Sequence, residues 1–279
     1  MDKIKDTLKN AERSISKTYR KRIWNPFIEG VKNYKLIEPN DKIAVCISGG
    51  KDSMLLAVLL RMLNRFSEVP FSLEYICMDP GYAEQNRKKI EENAEKLEIP
   101  IKFFDKDIFS VVDKTDKSPC YLCARMRRGS LYEYAQSLGC NKIALGHHFS
   151  DVIETTLMGM LYGSQIQAML PKLKSTNFEN MQLIRPMYCI NEKDIIAWKN
   201  LNKLDFLDCA CTVTKRTGDD ITSSKRAEIK QLIKTLKLTN PNVEKSIFSS
   251  IHNVHLDTFV GYKTNGKKYS FLDNFNNQA

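Results

Sequence analysis

The stretch Ser48-Gly-Gly-Lys-Asp-Ser53 constrains the fold more than any other, because of what stands on either side of it. Ile43-Ala-Val-Cys-Ile47 before it is an unbroken, β-branched apolar run, the pattern of a strand buried on both faces. Met54-Leu-Leu-Ala-Val-Leu-Leu60 after it continues to Phe66 in strong helix formers, the pattern of a core-facing helix. Strand, Gly-rich turn and helix together set a phosphate at a helix N-terminus. Backbone N–H groups converge there, the dipole is positive, and paired glycines permit close approach. Lys51 adds a full charge. The Walker A pattern is excluded: Val45 stands where its first Gly belongs, and Asp52 follows Lys51 where Ser or Thr is required. A turn that merely joins strand to helix is the competing reading.

Further runs alternate in the same way. Strands are expected at Leu73–Met78, Ile101–Phe104 and Lys142–Leu145, and helices from about Ala83 to Leu97, from Pro119 to Leu138 and from Asp151 onward. That spacing predicts an α/β protein with a doubly wound parallel sheet, whose ligands sit outside the carboxyl ends of the strands. Unusual residues fall at those ends: Met78-Asp79-Pro80-Gly81 after the second strand and Gly146-His147-His148 after the fourth. Asp151 and Glu154, three apart at a helix start, also form a capping-box pattern. Residues 1–36 read as a basic helical N-terminal segment facing RNA, and residues 37–190 as the sheet domain. Residues 191–254 read as a helical continuation with helices at Glu192–Lys203, Ser223–Leu236 and Val243–Ile251, and residues 255–279 as a loosely ordered tail.

Eight cysteines and a formal charge of +10 narrow the chemistry. No apolar run approaches the roughly 20 residues that span a membrane, and the charged N-terminus does not read as a secretory signal, so a cytoplasmic protein is expected. In a reducing compartment the cysteines point to metal or redox chemistry rather than disulfides. The positive charge points to a polyanionic partner. Ser118 as N-cap and Pro119 at the first helical position put Cys120 and Cys123 in the first two turns of a helix, on one face. The dipole and the following Arg125, Arg127 and Arg128 favour thiolates there. A redox dithiol, half a zinc site and part of an iron–sulfur site all fit that pair. The chain offers Cys209 and Cys211 as further ligands, with a single residue between them, which makes three cysteines with an open iron position the more interesting count. Cys46 and Cys77 read as core residues, and Cys140 and Cys189 as structural. His147 and His148 read as nucleotide-loop residues, and Lys172, Lys174, Lys215, Arg216, Lys225 and Arg226 as candidate contacts to RNA phosphates.

The string Ile37-Glu-Pro-Asn-Asp-Lys-Ile-Ala-Val-Cys-Ile-Ser-Gly-Gly-Lys-Asp-Ser53 resembles the PP-loop of the N-type ATP pyrophosphatases. Together with Cys120-Tyr-Leu-Cys-Ala-Arg-Met-Arg-Arg-Gly-Ser-Leu-Tyr132, Leu145-Gly-His-His-Phe-Ser-Asp-Val-Ile-Glu-Thr155, Leu183-Ile-Arg-Pro-Met187 and Glu192-Lys-Asp194, it resembles the tRNA 2-thiocytidine synthetase family from about Ile37 to Val254. The resemblance implies an adenine nucleotide α-hydrolase-like sheet and ATP-dependent replacement of a tRNA cytidine C2 oxygen by sulfur. It implies ATP over Ser48, Gly49, Gly50, Lys51, Asp52 and Ser53, with Met78, Gly146 and His147 bordering the nucleoside. Lys51, Asp52 and Asp151 become the catalytic residues, with Mg²⁺ near the two carboxylates. A [4Fe–4S] cluster on Cys120, Cys123 and Cys209 is implied, with Cys211 the alternative third ligand. Partners implied are tRNA, a cysteine-desulfurase-type or inorganic sulfur donor, and a second copy in a homodimer. Two departures stand out: Ser150 replaces the first Asp of the family's Gly-His-His-x-Asp-Asp, and the second cysteine pair is shortened by one residue.

Three other readings share parts of this pattern. A lysidine-forming ligase adenylates in the same way without needing Cys120 and Cys123. A 2-thiouridine synthetase shares the cluster but typically carries additional terminal zinc-binding cysteine pairs. A non-enzymatic basic RNA-binding or metal-binding module has no use for Ser48–Ser53.

Overall fold

In a computed structural model, the described residues are 2–106, 108, 119–207 and 225–275, with the backbone alone for 2–5, 119–124 and 274. The apolar run before the glycines forms β1 (Lys42–Cys46), and the alternation that follows gives β2 (Ser72–Asp79), β3 (Ile101–Asp105) and β4 (Lys142–Ala144). Two three-residue strands, β5 (Lys172–Lys174) and β6 (Gln182–Ile184), complete a six-stranded sheet of order β3-β2-β1-β4-β6-β5. All pairings are parallel except β5 with β6. The order reverses on either side of β1, so the crevice of this doubly wound sheet opens at the end of β1, where Ser48 begins.

Between the strands run α3 (Lys51–Phe66), α4 (Glu84–Lys96), α5 (Pro119–Ser137) and α6 (Phe149–Gly163), preceded by α1 (Asp2–Ser16) and α2 (Asn25–Asn33) and followed by α7 (Glu192–Leu201). Helix α3 starts at Lys51, three residues before its apolar run, with extended Gly50 as N-cap, so Lys51 and Asp52 lie in its first turn. Helix α6 starts at Phe149, two residues before the expected Asp151. Lys142, wholly buried at the start of β4, is held by Asp41 at 2.6 Å, Glu38 at 2.9 Å and the Leu36 carbonyl at 3.1 Å. Glu38 and Asp41 of the Ile37–Ser53 string therefore serve the fold.

The N-terminal segment is not an appendage. Ala11, Ile15, Tyr19, Ile23, Phe27 and Val31 are all buried in the main core, each four residues from the last. An α-helix turns about 100° per residue, so a strict four-residue spacing drifts about 40° per step off a single face. A π-helical turn at Arg20–Trp24, between α1 and α2, interrupts the α-helical run within that series. Trp198 of α7, fully buried, donates its indole N–H to the Ala11 carbonyl at 3.3 Å. Lys9, Arg13, Lys17, Arg20, Lys21 and Arg22 are exposed on the other side of the segment.

The chain divides into two compact units, residues 1–230 and 231–279, with the boundary inside α8 (Lys225–Thr239). The second unit holds α9 (Val243–Ser250), an antiparallel hairpin of β7 (Gly261–Thr264) and β8 (Lys267–Ser270), and α10 (Leu272–Phe275). The hairpin overturns the expected loose tail. Asn265 and Gly266 turn the chain with φ of 49° and 76°, the left-handed pair that a two-residue hairpin requires. Tyr262 and Tyr269 stack across the strands at 5.0 Å. Among the described residues, no helix is long and apolar enough to cross a membrane.

Candidate nucleotide site

The loop at the end of β1 is held from inside. Ser53 Oγ accepts from the Ser48 backbone at 3.1 Å, contacts Ser48 Oγ at 3.2 Å and donates to the Gly50 carbonyl at 3.0 Å. Ser53 is buried, so its hydroxyl shapes the turn. Gly49 has φ of +81°, and a Cβ there would meet Ile90 Cγ1 at 2.5 Å, so no larger residue fits. From the end of β4, Gly146 backs against the loop: a Cβ on it would stand 3.1 Å from the Asp52 carbonyl carbon and the Ser53 nitrogen. Leu207, two residues before Cys209, donates its backbone N–H to the Gly49 carbonyl at 3.1 Å.

Around this turn lies a ring of alternating charges. Lys51 Nζ contacts Asp52 Oδ2 at 3.1 Å and Glu192 Oε1 at 3.0 Å. Glu192, in the first turn of α7, gives its other oxygen to Lys230 at 3.2 Å. Lys230 also reaches Glu154 Oε1 at 3.7 Å, while Arg226 reaches Asp151 Oδ1 at 3.0 Å and Glu154 Oε2 at 3.8 Å. Burial alone would raise the Glu192 carboxyl, but the hydrogen bond and charge of Lys51, with Lys230, bring it down to about 2. Glu154 goes the other way: burial pushes it up to about 7 against the pull of Lys230 and Arg226.

Asp151 and His148 close a capping box at the start of α6. Asp151 Oδ2 accepts from the His148 N–H at 3.0 Å, and the Asp151 N–H points to His148 Nδ1 at 3.4 Å. The capping pair is thus His148 with Asp151, not Asp151 with Glu154. His148 Nε2 lies 3.7 Å from Asp52 Oδ1, a buried atom without a hydrogen-bond partner among the described residues. His147 Nδ1 is likewise buried and unbonded, and burial followed by the nearby Arg185 charge lowers this imidazole to about 4, so it is neutral at pH 7. Ser150, where the family pattern has Asp, accepts the Glu192 N–H on its hydroxyl at 3.3 Å, joining the starts of α6 and α7.

Of the residues singled out from sequence, Ser48–Ser53, Gly146, His148 and Asp151 come together here. Met78 lies buried near the end of β2, two residues after Ile76, whose carbonyl accepts from the Ile47 N–H at 2.8 Å. Asp79 caps its own turn, accepting from Gly81 and Tyr82 at 2.9 and 2.7 Å. Cys120 and Cys123 lie in α5, whose backbone begins at Pro119 as expected. Cys209, Cys211, Lys215 and Arg216 fall outside the described residues. Lys172 donates to the Lys35 carbonyl at 2.9 Å. Arg226 faces Asp151 in the site, and Lys225 stands over the Tyr162 ring. Glu192, Glu154 and Lys230 were not foreseen. Glu192-Lys-Asp194 carried part of the family resemblance, which was the one signal available for Glu192. Among the described residues, no group of three or more His, Cys, Asp or Glu is arranged to hold a metal ion.

A buried strand, a Gly-Gly turn and a helix opening on lysine, at the switch point of a parallel sheet, define the PP-loop class of nucleotide-binding proteins. A family profile described as the PP-loop domain matches residues 11–215. A tRNA-cytidine(32) 2-sulfurtransferase of Neisseria meningitidis serogroup A is 34% identical over 258 residues, 90% of this chain and 76% of that protein. One from Citrifermentans bemidjiense is 35% identical over 237 residues, 84% of this chain and 91% of that protein. The chain belongs to the tRNA-cytidine(32) 2-sulfurtransferase family of PP-loop proteins. In fold it also resembles the U34-tRNA thiolase NcsA from Methanococcus maripaludis, solved with its [4Fe–4S] cluster. That match has a TM-score of 0.65 and 21% identity, covering 86% of this chain and 80% of that one.

Proposed function

We propose that this chain is an ATP-dependent tRNA sulfurtransferase that adenylates the C2 oxygen of a tRNA cytidine and replaces it with sulfur. The observation that carries the reading is Lys51. It opens α3 at the switch point of the sheet, with its ammonium bridging Asp52 and Glu192, where the phosphates of ATP would meet both a helix N-terminus and a fixed charge.

The cytidine leaves its stack to expose C2, at a cost of a few kcal/mol that is least in a loop. Its C2 oxygen attacks the α-phosphorus of ATP: the new O–P bond forms as the bond to the β-phosphate oxygen breaks, and pyrophosphate departs. Lys51 and the α3 N-terminus offset the charge that gathers on the phosphates. A sulfide-level sulfur nucleophile, supplied as sulfide or as persulfide sulfur together with a thiol reductant, then bonds to C2, and the C2–O bond breaks as AMP leaves with the oxygen. Asp52, with its unbonded Oδ1, fits a Mg²⁺ ligand on the phosphates, since Mg²⁺ binds through one or two carboxylates plus substrate. Asp151 spends one oxygen on His148 and the other on Arg226, and so acts first by orienting the His148 turn. The neutral His147 and the Met78 rim border the nucleoside.

Cys120, Cys123 and Cys209 would hold a [4Fe–4S] cluster, which when bound supplies a thiophilic iron for the incoming sulfur. The choice follows the family resemblance, with Cys211 the alternative to Cys209. Burial raises the thiols of Cys46, Cys77, Cys140 and Cys189, in keeping with their reading as core and structural residues. Leu207, bonded to Gly49, ties the approach to Cys209 to the phosphate loop. A sulfur donor of cysteine-desulfurase type or inorganic sulfide, a homodimer and a cytoplasmic setting complete the reading.

The test is to incubate the anaerobically purified protein with labelled ATP, sulfide and tRNA, measuring AMP, pyrophosphate and the nucleosides by mass spectrometry. Stoichiometric AMP and pyrophosphate with 2-thiocytidine is the expected result. A thiolated uridine or an amine adduct of cytidine would move the chain to another branch, and no ATP turnover would defeat the reading.

A further inference from the structure

Helix α8 brings two cations to the phosphate loop that the loop motif does not contain. Arg226 and Lys230 are four residues apart and so share one face of the helix. Among the described residues, the carboxylates that meet them come from elements at the carboxyl end of the sheet: Asp151 and Glu154 from α6, and Glu192 from α7. Through Glu192 they meet Lys51 of α3. One oxygen of that carboxylate lies 3.0 Å from the Lys51 ammonium and the other 3.2 Å from the Lys230 ammonium. The two lysines are therefore spaced to be bridged by a single oxyanion.

We propose that Lys230, with Arg226 beside it, forms the second half of the polyphosphate site, holding the β- and γ-phosphates of ATP and the pyrophosphate they become. Lys51 serves the loop side of the same chain of phosphates. A phosphate presents several oxygens to several donors at once, so it can meet both ammonium groups as Glu192 does. The side chains of Arg226 and Lys230 keep 45% and 42% of their surface exposed. Ion pairs this open to water are weak, so a multiply charged anion can draw the cations from their carboxylates at little cost. The competing explanation is that these pairs only fasten α8 to the sheet. That would make the residues matter equally for every ligand of the site.

This inference rests on the adenylation chemistry above, and the experiment separates the two. Full-length protein with Mg²⁺ is titrated separately with inorganic pyrophosphate and with AMP, by calorimetry, without tRNA. The variants are Lys230→Gln, Arg226→Gln, Lys230→Arg and, as a control on the same helix, Lys225→Gln. Loss of one charged hydrogen bond should weaken pyrophosphate binding by about tenfold or more in Lys230→Gln and Arg226→Gln. AMP binding should stay within about twofold, Lys230→Arg should keep most of the affinity, and Lys225→Gln should match the wild type. Unchanged pyrophosphate binding in Lys230→Gln, or equal loss of pyrophosphate and AMP, would overturn the proposal. Should Lys230→Gln lose its fold, Arg226→Gln carries the same comparison. A wild-type protein that binds pyrophosphate but makes no AMP with tRNA would leave this site standing and remove the thiolation reading.

Discussion

In the proposed mechanism, Lys51 is the residue that separates the two half-reactions. Its ammonium lies between the carboxylates of Asp52 and Glu192, whereas Cys120 and Cys123 belong to a different helix. Lys51→Ala should cut formation of AMP and pyrophosphate by at least about a hundredfold, the scale for removing one preorganised charge from a transition state. Iron content and tRNA affinity should stay close to wild type, and thiolation at the wild-type rate would rule out this site. The carboxylates around it predict opposite pH behaviour. Glu154 titrates near 7 in the fold and near 4.5 in an unfolded chain, so the folded state binds the extra proton and loses stability as pH rises from about 4.5 through 7. Glu192, held at about 2, contributes stability that is present above about 4.5 and lost as pH falls toward 2. Melting Glu154→Gln beside the wild type at pH 5 and pH 8 checks the first. The variant should gain on the wild type at the higher pH, and parallel curves would refute the shift. Ser48–Ser53 and Gly146-His-His148 were legible in the sequence because Gly, His and Lys in short polar turns carry local chemistry. Glu154, Glu192 and Lys230 were not, because an ordinary acid or lysine gains its meaning from a partner on another element. Lys51 and Glu192 are 141 residues apart.

Among elements, the N-terminal helices make the sharpest prediction. Ile23 sits in the π-helical turn, fully buried within the core that also holds Phe27 and Trp198. Ile23→Ala should cost about 2–5 kcal/mol through lost burial and a residual cavity, read as a shift of the denaturant midpoint at constant slope. An RNA-facing appendage would show no such loss. The parallel strands were legible because a strand buried on both faces shows as a continuous apolar run. The N-terminal packing was not, since a stripe repeating every four residues matches neither the helical nor the strand period. Strands β5 and β6, at three residues each, are too short to carry any period. The hairpin of the second unit did have a local signal, the Asn265-Gly266 pair, which the surrounding lysines and asparagines masked.

For the whole molecule, a formal charge of +10 on a family member whose relatives are named for tRNA predicts binding dominated by phosphate contacts. With about six to ten such contacts, affinity for tRNA should fall by about 10³–10⁵-fold between roughly 50 and 200 mM salt, less where the RNA is single-stranded. A filter-binding series across that range is sufficient, and a flat response would point to a small-molecule substrate instead. The hydrogen bond from Trp198 to the Ala11 carbonyl, meanwhile, carries a consequence for how the chain is made. Its two ends are separated by 187 residues. At about 5–20 residues per second, a nascent chain spends roughly 10–40 s with its first helices synthesised and their closing tryptophan still unwritten. Through that interval the stripe from Ala11 to Val31 can bury itself only against the parts of its core made earlier, α3, α4 and the first strands among them. Birth of this protein on the ribosome thus leaves a greasy stripe waiting for a partner that is made much later.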